Sequence, residues 1–219
     1  MKIKTVEKLE DLIDKDLAWR KKELLDIKRL ISRKGSNKKL HIRAGFALLS
    51  ANFEGFIKYA ANMYIVFVSC QKIPYCDIKN CFLSIRFQGK FDQCTETERL
   101  SVYTSLLDNV QSIQTQHFKV SDEKVIKTES NPSSKVLKEI LISIGLEHEP
   151  FESKNHFIDY SLLSNRHKVV HGEVTSFEPE DFFETLQEIL ETMNLLREKI
   201  FEAAANKKYL KSPQLNQVG

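Results

Sequence analysis

Ten residues, Ser164-Asn165-Arg166-His167-Lys168-Val169-Val170-His171-Gly172-Glu173, bring together a guanidinium, two imidazoles and an ammonium group. An imidazole exchanges its proton near neutral pH and can serve as general acid or base. A guanidinium keeps its charge and offers forked donors that match phosphate oxygens. The types therefore suit proton transfer beside an anion. On a helix, Arg166 and His171 stand five residues apart, about 140° around the axis, and do not share a face. His167 and His171 are four apart and do share one. Gly172 reads as a helix stop, which puts His171 on a last, loosened turn. Its ring can swing towards Arg166, or a second copy of the motif from a partner chain can close the gap. The same imidazole pair has a spacing that could hold zinc. Glu173 is too close in sequence for a third ligand, and no Glu follows His167 as in HExxH, so no metal site and no cofactor are expected. No serine or cysteine elbow or pairing points to a protein nucleophile.

These residues need a rigid lead-in. Phe157, Ile158, Tyr160, Leu162 and Leu163 precede them, and a helix from about 152 to 171 would bury those side chains and bring the polar set to the rim of the packing. Upstream, Leu9, Leu12, Ile13, Leu17, Leu24, Ile27, Leu30 and Ile31 recur at threes and fours and predict a helix over about 5–34. After the turn Lys34-Gly35-Ser36-Asn37 a second long helix is expected over 38–70, with Arg43 and Glu54 standing out as charges on an apolar element. Ile73-Pro74-Tyr75 breaks it, and two short helices are expected over about 78–93 and 96–111. Residues 112–134 read as a polar insertion of loop or short-hairpin character, in which Phe118 and Val120 could pair with Val125 and Ile126. Ser133-Ser134 caps a helix ended by Gly145. Glu178-Pro179-Glu180-Asp181 opens the last helix, expected to run to about Lys208.

Composition agrees with helices. Among 219 residues, 42% hydrophobic, there are only 7 Gly and 5 Pro, too few breakers for a turn-rich β fold. The reading is one domain over 1–211 with a disordered tail at 212–219. A net charge of +3 is too mild to mark a nucleic-acid binder by itself. Cys70, Cys76, Cys81 and Cys94 form no CxxC pair. Neither an apolar leader after Met1-Lys2-Ile3-Lys4 nor a run long enough to span a bilayer is evident, so no membrane association and a cytoplasmic location with reduced thiols are expected.

The string Arg166-His167-Lys168-Val169-Val170-His171 resembles the signature of the HEPN domain superfamily (higher eukaryotes and prokaryotes nucleotide-binding). The segments His41-Ile42-Arg43-Ala44 and Ala51-Asn52-Phe53-Glu54-Gly55-Phe56-Ile57-Lys58 are similar to the first bundle helices of its stand-alone MAE-like branch. The resemblance covers roughly residues 5–205 and implies an all-α, antiparallel HEPN-type helical bundle with the polar insertion between helices. It also implies a homodimer formed through the motif helix and a metal-independent endoribonuclease. RNA carries its own nucleophile, the 2′-hydroxyl, so a base, an acid and a cation suffice, and two motifs across a dimer supply two of each. His171 is then the general acid or base and Arg166 the binder of the transition-state phosphate. His167 orients substrate or neighbours. Glu54 is placed to orient His171 or Arg166, since an acidic residue here faces the active-site helix in similar proteins. Lys168 and Arg43 are candidate substrate contacts. Similar proteins act as toxins or antiphage effectors. Other HEPN bundles bind RNA or a partner protein such as an antitoxin without catalysis, and that reading stands beside the first.

Overall fold

The structure, a computed structural model, describes residues 2–34, 37–97, 99–120, 125–126, 132–173 and 176–211. Its first helix, α1 (Val6–Ser32), starts where the Thr5 hydroxyl accepts the Lys8 amide at 3.2 Å. It buries Leu9, Ile13, Leu17, Leu24 and Ile31, the stripe the periodicity predicts. Asn37 caps α2 (Lys38–Cys70) in the same way through the Leu40 amide. Residues Ala60 to Val68 of α2 are buried without interruption. A helix apolar on every side belongs at the centre of a bundle. Accordingly α2 packs on α1, on the last helix α7 (Pro179–Ala205), and on the helix that carries the motif. The fold is all-α, with no strand among the described residues.

The Phe53-Glu54-Gly55-Phe56 stretch shows how α1 and α2 approach. Phe53 and Phe56 are fully buried. Gly55 lies under the Arg20 guanidinium, and a Cβ there would stand 2.6 Å from Arg20 Nη1. Arg20 is in turn held by Asp16 at 2.6 Å and donates to the Asn52 carbonyl at 3.3 Å. Gly45 plays the matching part opposite α7, where a Cβ would meet the Phe182 ring at 2.8 Å.

Around this core lie α3 (Asn80–Thr95), α4 (Leu100–Ser112) and α5 (Ser134–Ser143). Gly145, in the left-handed region at φ 74°, follows α5 as expected. The described residues of the insertion are tied to α2 and to the segment after it. The Phe118 amide donates to the Ile73 carbonyl at 2.8 Å, and the Asn62 side-chain oxygen of α2 accepts the amides of Val125 and Ile126 at 2.8 and 3.1 Å. Among the described residues, no strand pairing joins Phe118 and Val120 to Val125 and Ile126. Residues 121–124, 127–131 and the tail 212–219 lie outside the described set. The last helix stops earlier than expected, at Ala205, and the segment after it returns to the start of α3, with the Lys79 amide on the Tyr209 carbonyl at 2.9 Å.

A 3-10 turn, Glu149–Lys154, precedes the motif helix and is tied to α7 by Lys154, which donates to Glu188 and Glu191 at 2.7 Å each. Hydrogen bonds from Lys154 hold the Glu191 carboxyl below its ordinary value. A depressed carboxyl stabilises the fold above its unfolded pKa, and that share is lost as pH falls through the folded one. In acid titrations monitored by circular dichroism, Lys154→Met should therefore flatten the loss of stability below about pH 4.5. Identical acid profiles for the two chains would contradict it.

Candidate active site

The motif helix covers 155–170 and is not uniform. Phe157–Leu163 is a π-segment, closed by the Ser164 amide on the Asp159 carbonyl, and an α-helical end, α6 (Ser164–Val170), continues it. The wider turn has a sequence reason. Ile158, Leu162 and Leu163 stand four and five residues apart, and all three are buried. An α-helix lines up the first spacing; a π-turn accommodates the second as well. The same distortion carries Asp159 to the start of α5, where its carboxylate accepts the amide and hydroxyl of Ser134 at 2.8 and 2.5 Å.

The helix ends in a Schellman motif. The Glu173 amide donates to the Lys168 carbonyl at 2.9 Å and the Gly172 amide to the Val169 carbonyl at 3.2 Å, with Gly172 at φ 70°. The stop predicted at Gly172 is there, and His171 occupies the C-cap. A Cβ on Gly172 would meet nothing within 4 Å, so the demand for glycine is purely conformational. Gly172→Ala should lower stability by about 1 kcal/mol, the strain of a left-handed non-glycine residue. Urea unfolding measures it, and an unchanged midpoint would contradict the assignment.

Arg43 of α2 clamps this end. Its Nη1 donates to the Glu173 carbonyl at 2.7 Å and its Nη2 to the Val169 carbonyl at 3.3 Å. The fork thus brackets His171 by holding the backbone on either side of it. A positive group at carbonyls left open by a helix end is favourable in charge as well as in hydrogen bonding. The sequence reading gave Arg43 to the substrate; the structure engages both arms of its guanidinium on the chain itself. Arg43→Ala should lower stability by about 1–2 kcal/mol, and Arg43→Lys should restore only part, because an ammonium cannot reproduce the fork. Full recovery with Lys in thermal melts would contradict a two-pronged clamp.

The end thus held presents the polar set. Arg166 is half-buried, and His167 and His171 are exposed. The two imidazoles stand edge to face with centroids 6.1 Å apart, as neighbours four apart should. Among the described residues, the side chains of Arg166, His167 and His171 make no hydrogen bond or ion pair, so their donors and acceptors are open to a ligand. Val170 beside them is 60% exposed, and Leu40, one turn before Arg43, is 58% exposed. Among the described residues, no three His, Cys, Asp or Glu side chains gather as a metal cluster. Lys168 lines a cleft between the motif helix and the start of α7. Glu54 shares with Arg43 one face of α2, eleven residues further on, about 16 Å along the axis. It accepts from Lys58 at 2.7 Å. The structure therefore brings Arg43 to the motif, while Glu54 lies further along α2.

The bundle is all-α, with the string Arg166 to His171 at the end of a helix packed on its central helix. The chain belongs to the RiboL-PSP-HEPN family, whose model matches residues 15–202. The superfamily is the one the motif resembles; the branch that the first helices resemble is MAE-like, and the matched family is RiboL-PSP-HEPN. No curated protein and no solved structure matches the chain. Among the described residues, no helix is long and apolar enough to cross a membrane.

Proposed function

We propose that this chain is a metal-independent endoribonuclease whose site is completed when two copies meet through the motif helix. One observation carries the reading: Arg166 and His171 stand with unengaged side chains at a helix end that Arg43 holds in place. The five-residue spacing keeps them on different sides of the last turns, so one chain alone does not converge them on a phosphate. A second motif, related by a two-fold axis, places the Arg of one copy near the His of the other. Exposed Val170 and Leu40 beside the motif give such a contact its apolar part.

In the reaction, one imidazole of the His171 pair takes the proton of the 2′-hydroxyl and the 2′-oxygen attacks the adjacent phosphorus. The bond to the 5′-oxygen breaks, and the other imidazole, protonated, gives that oxygen its proton. Arg166 stabilises the charge on the non-bridging oxygens through forked hydrogen bonds. The products are a 2′,3′-cyclic phosphate and a 5′-hydroxyl. His167 orients substrate or its neighbours, and Glu54, on α2, orients Arg166 or His171. The setting we propose with it is toxin–antitoxin or antiphage defence in the cytoplasm, with RNA as ligand and an antitoxin as a possible regulator.

The test is the digestion of an end-labelled single-stranded RNA in excess EDTA. Cyclic phosphate ends support the reading; cleavage that depends on added metal, or RNA binding without cleavage, would overturn it in favour of another chemistry or a binding-only module.

A further inference from the structure

Neither His167 nor His171 lines the cleft that receives Lys168. It lies between the motif helix and the first turns of α7, with a volume of about 370 Å³. That is near the lower end for small-molecule sites, room for one nucleoside rather than for a helix. Asn165 and Lys168 line one wall, Asp181 and Glu184 the other, and the rings of Tyr160 and Phe177 border it. Phe177 is buried and braced against Phe46 at 5.1 Å, while Tyr160 is 69% exposed. One oxygen of Asp181 is used on the Glu178 amide at 3.1 Å. The side chains of Asn165, Lys168 and Glu184 make no hydrogen bond or ion pair with any described residue, although Lys168 and Glu184 face one cleft with opposite charges.

The Lys168 ammonium faces the unspent Glu184 carboxylate and the remaining oxygen of Asp181, so a donor group stands opposite a pair of acceptor oxygens. The Watson–Crick edge of guanine presents the complement: an acceptor at O6 and two donors at N1 and N2. A carboxylate takes the two N–H groups bidentately and a lysine or amide donates to O6. Uracil and adenine lack the adjacent donor pair, and cytosine offers one donor group with two acceptors. Tyr160, stacked on His156 with ring centroids 5.0 Å apart, supplies the exposed ring beside which a splayed base can stack, the usual mode of single-strand RNA recognition.

We propose that this cleft is a guanine subsite, which holds one base of the RNA strand while a neighbouring phosphate lies at Arg166 and His171. Glu184 grips the N1 and N2 edge, with Asp181 behind it, and Lys168 and Asn165 read O6. The inference rests on the ribonuclease reading for its placement, but its binding chemistry can be measured alone.

The experiment uses the full chain and fluorescence anisotropy with four labelled oligouridylates, fully 2′-O-methylated so that they cannot be cut, each carrying a single G, A, C or no substitution. The G oligomer should bind about 10-fold tighter than the plain one, within the range for one bidentate pair. Glu184→Gln and Lys168→Met should each bring that preference to within about 2-fold, while affinity for the plain oligomer changes little with Glu184→Gln. Both residues are on the surface, and a thermal melt equal to wild type confirms an intact fold. Competition by 5′-GMP at concentrations comparable to the oligomer would assign the pocket to free nucleotides instead of a strand and overturn the placement. Equal binding of all four oligomers, or a G preference that survives Glu184→Gln, would overturn the subsite itself. Guanine preference without cleavage of unmodified RNA leaves the subsite and removes the ribonuclease reading; cleavage without base preference does the reverse.

Discussion

His171→Ala should lower RNA cleavage by about 10²- to 10⁴-fold, the range of a lost general acid or base, while the melting temperature stays within error. Both halves follow from position. The imidazole is exposed, and its side chain makes no hydrogen bond or ion pair among the described residues, so its removal leaves no buried group unsatisfied. The backbone at 171 is fixed by other means, by the Schellman bonds and by the Arg43 fork. Arg166→Ala should be as damaging, since the charge on the phosphorane loses its partner, and Arg166→Lys should recover little. His167→Ala is expected to act more mildly, because it stands beside His171 without being the residue at the clamped end. Single-turnover rates on one RNA read all four variants. A His171→Ala protein that cuts at the wild-type rate would place the chemistry elsewhere.

The largest stability effect is expected at Phe46. Its ring is fully buried on α2, 5.1 Å from Phe177 and 5.4 Å from Phe182 by centroids. It therefore joins the central helix to the segment that follows the motif and to the first turn of α7. Truncation to Ala removes most of the side chain from a packed site and leaves a cavity, for about 3–5 kcal/mol. Phe177 loses its brace at the same time, so the wall of the cleft should loosen as well. Phe46→Leu keeps much of the volume and should cost less than half as much. Denaturant unfolding with the m-value held constant distinguishes these. A loss below about 1 kcal/mol for Phe46→Ala would mean that the aromatic cluster is not the joint we describe.

Most of the bundle was readable in the sequence because its helices are long and strongly periodic. α1 and α2 begin and end within a few residues of where Thr5, Asn37 and the Pro74 break place them. The motif helix was only partly readable. Ile158, Leu162 and Leu163 suggest a helix, yet one α-helical face cannot take all three, and the π-segment that resolves the conflict depends on the packing against α2. The Gly172 stop was plain from residue type. Arg43 was not, because a lone cation on an apolar helix looks the same whether it awaits a phosphate or caps a helix end 126 residues away in sequence. Glu54 stands about three turns beyond Arg43 on the same face of α2, where it accepts from Lys58. The cleft at Lys168 was hidden altogether, since its two walls come from segments that meet only in the fold.

In the proposed reaction the 2′-hydroxyl of RNA is the nucleophile and side chains alone activate it. The most direct measurement compares, in excess EDTA, cleavage of one RNA by the wild-type chain with cleavage of the same sequence bearing 2′-O-methyl groups. Cleavage of the unmodified strand, with cyclic phosphate ends, and an intact methylated strand are expected. Equal cleavage of both strands, or cleavage of neither until a divalent metal is added, would contradict it.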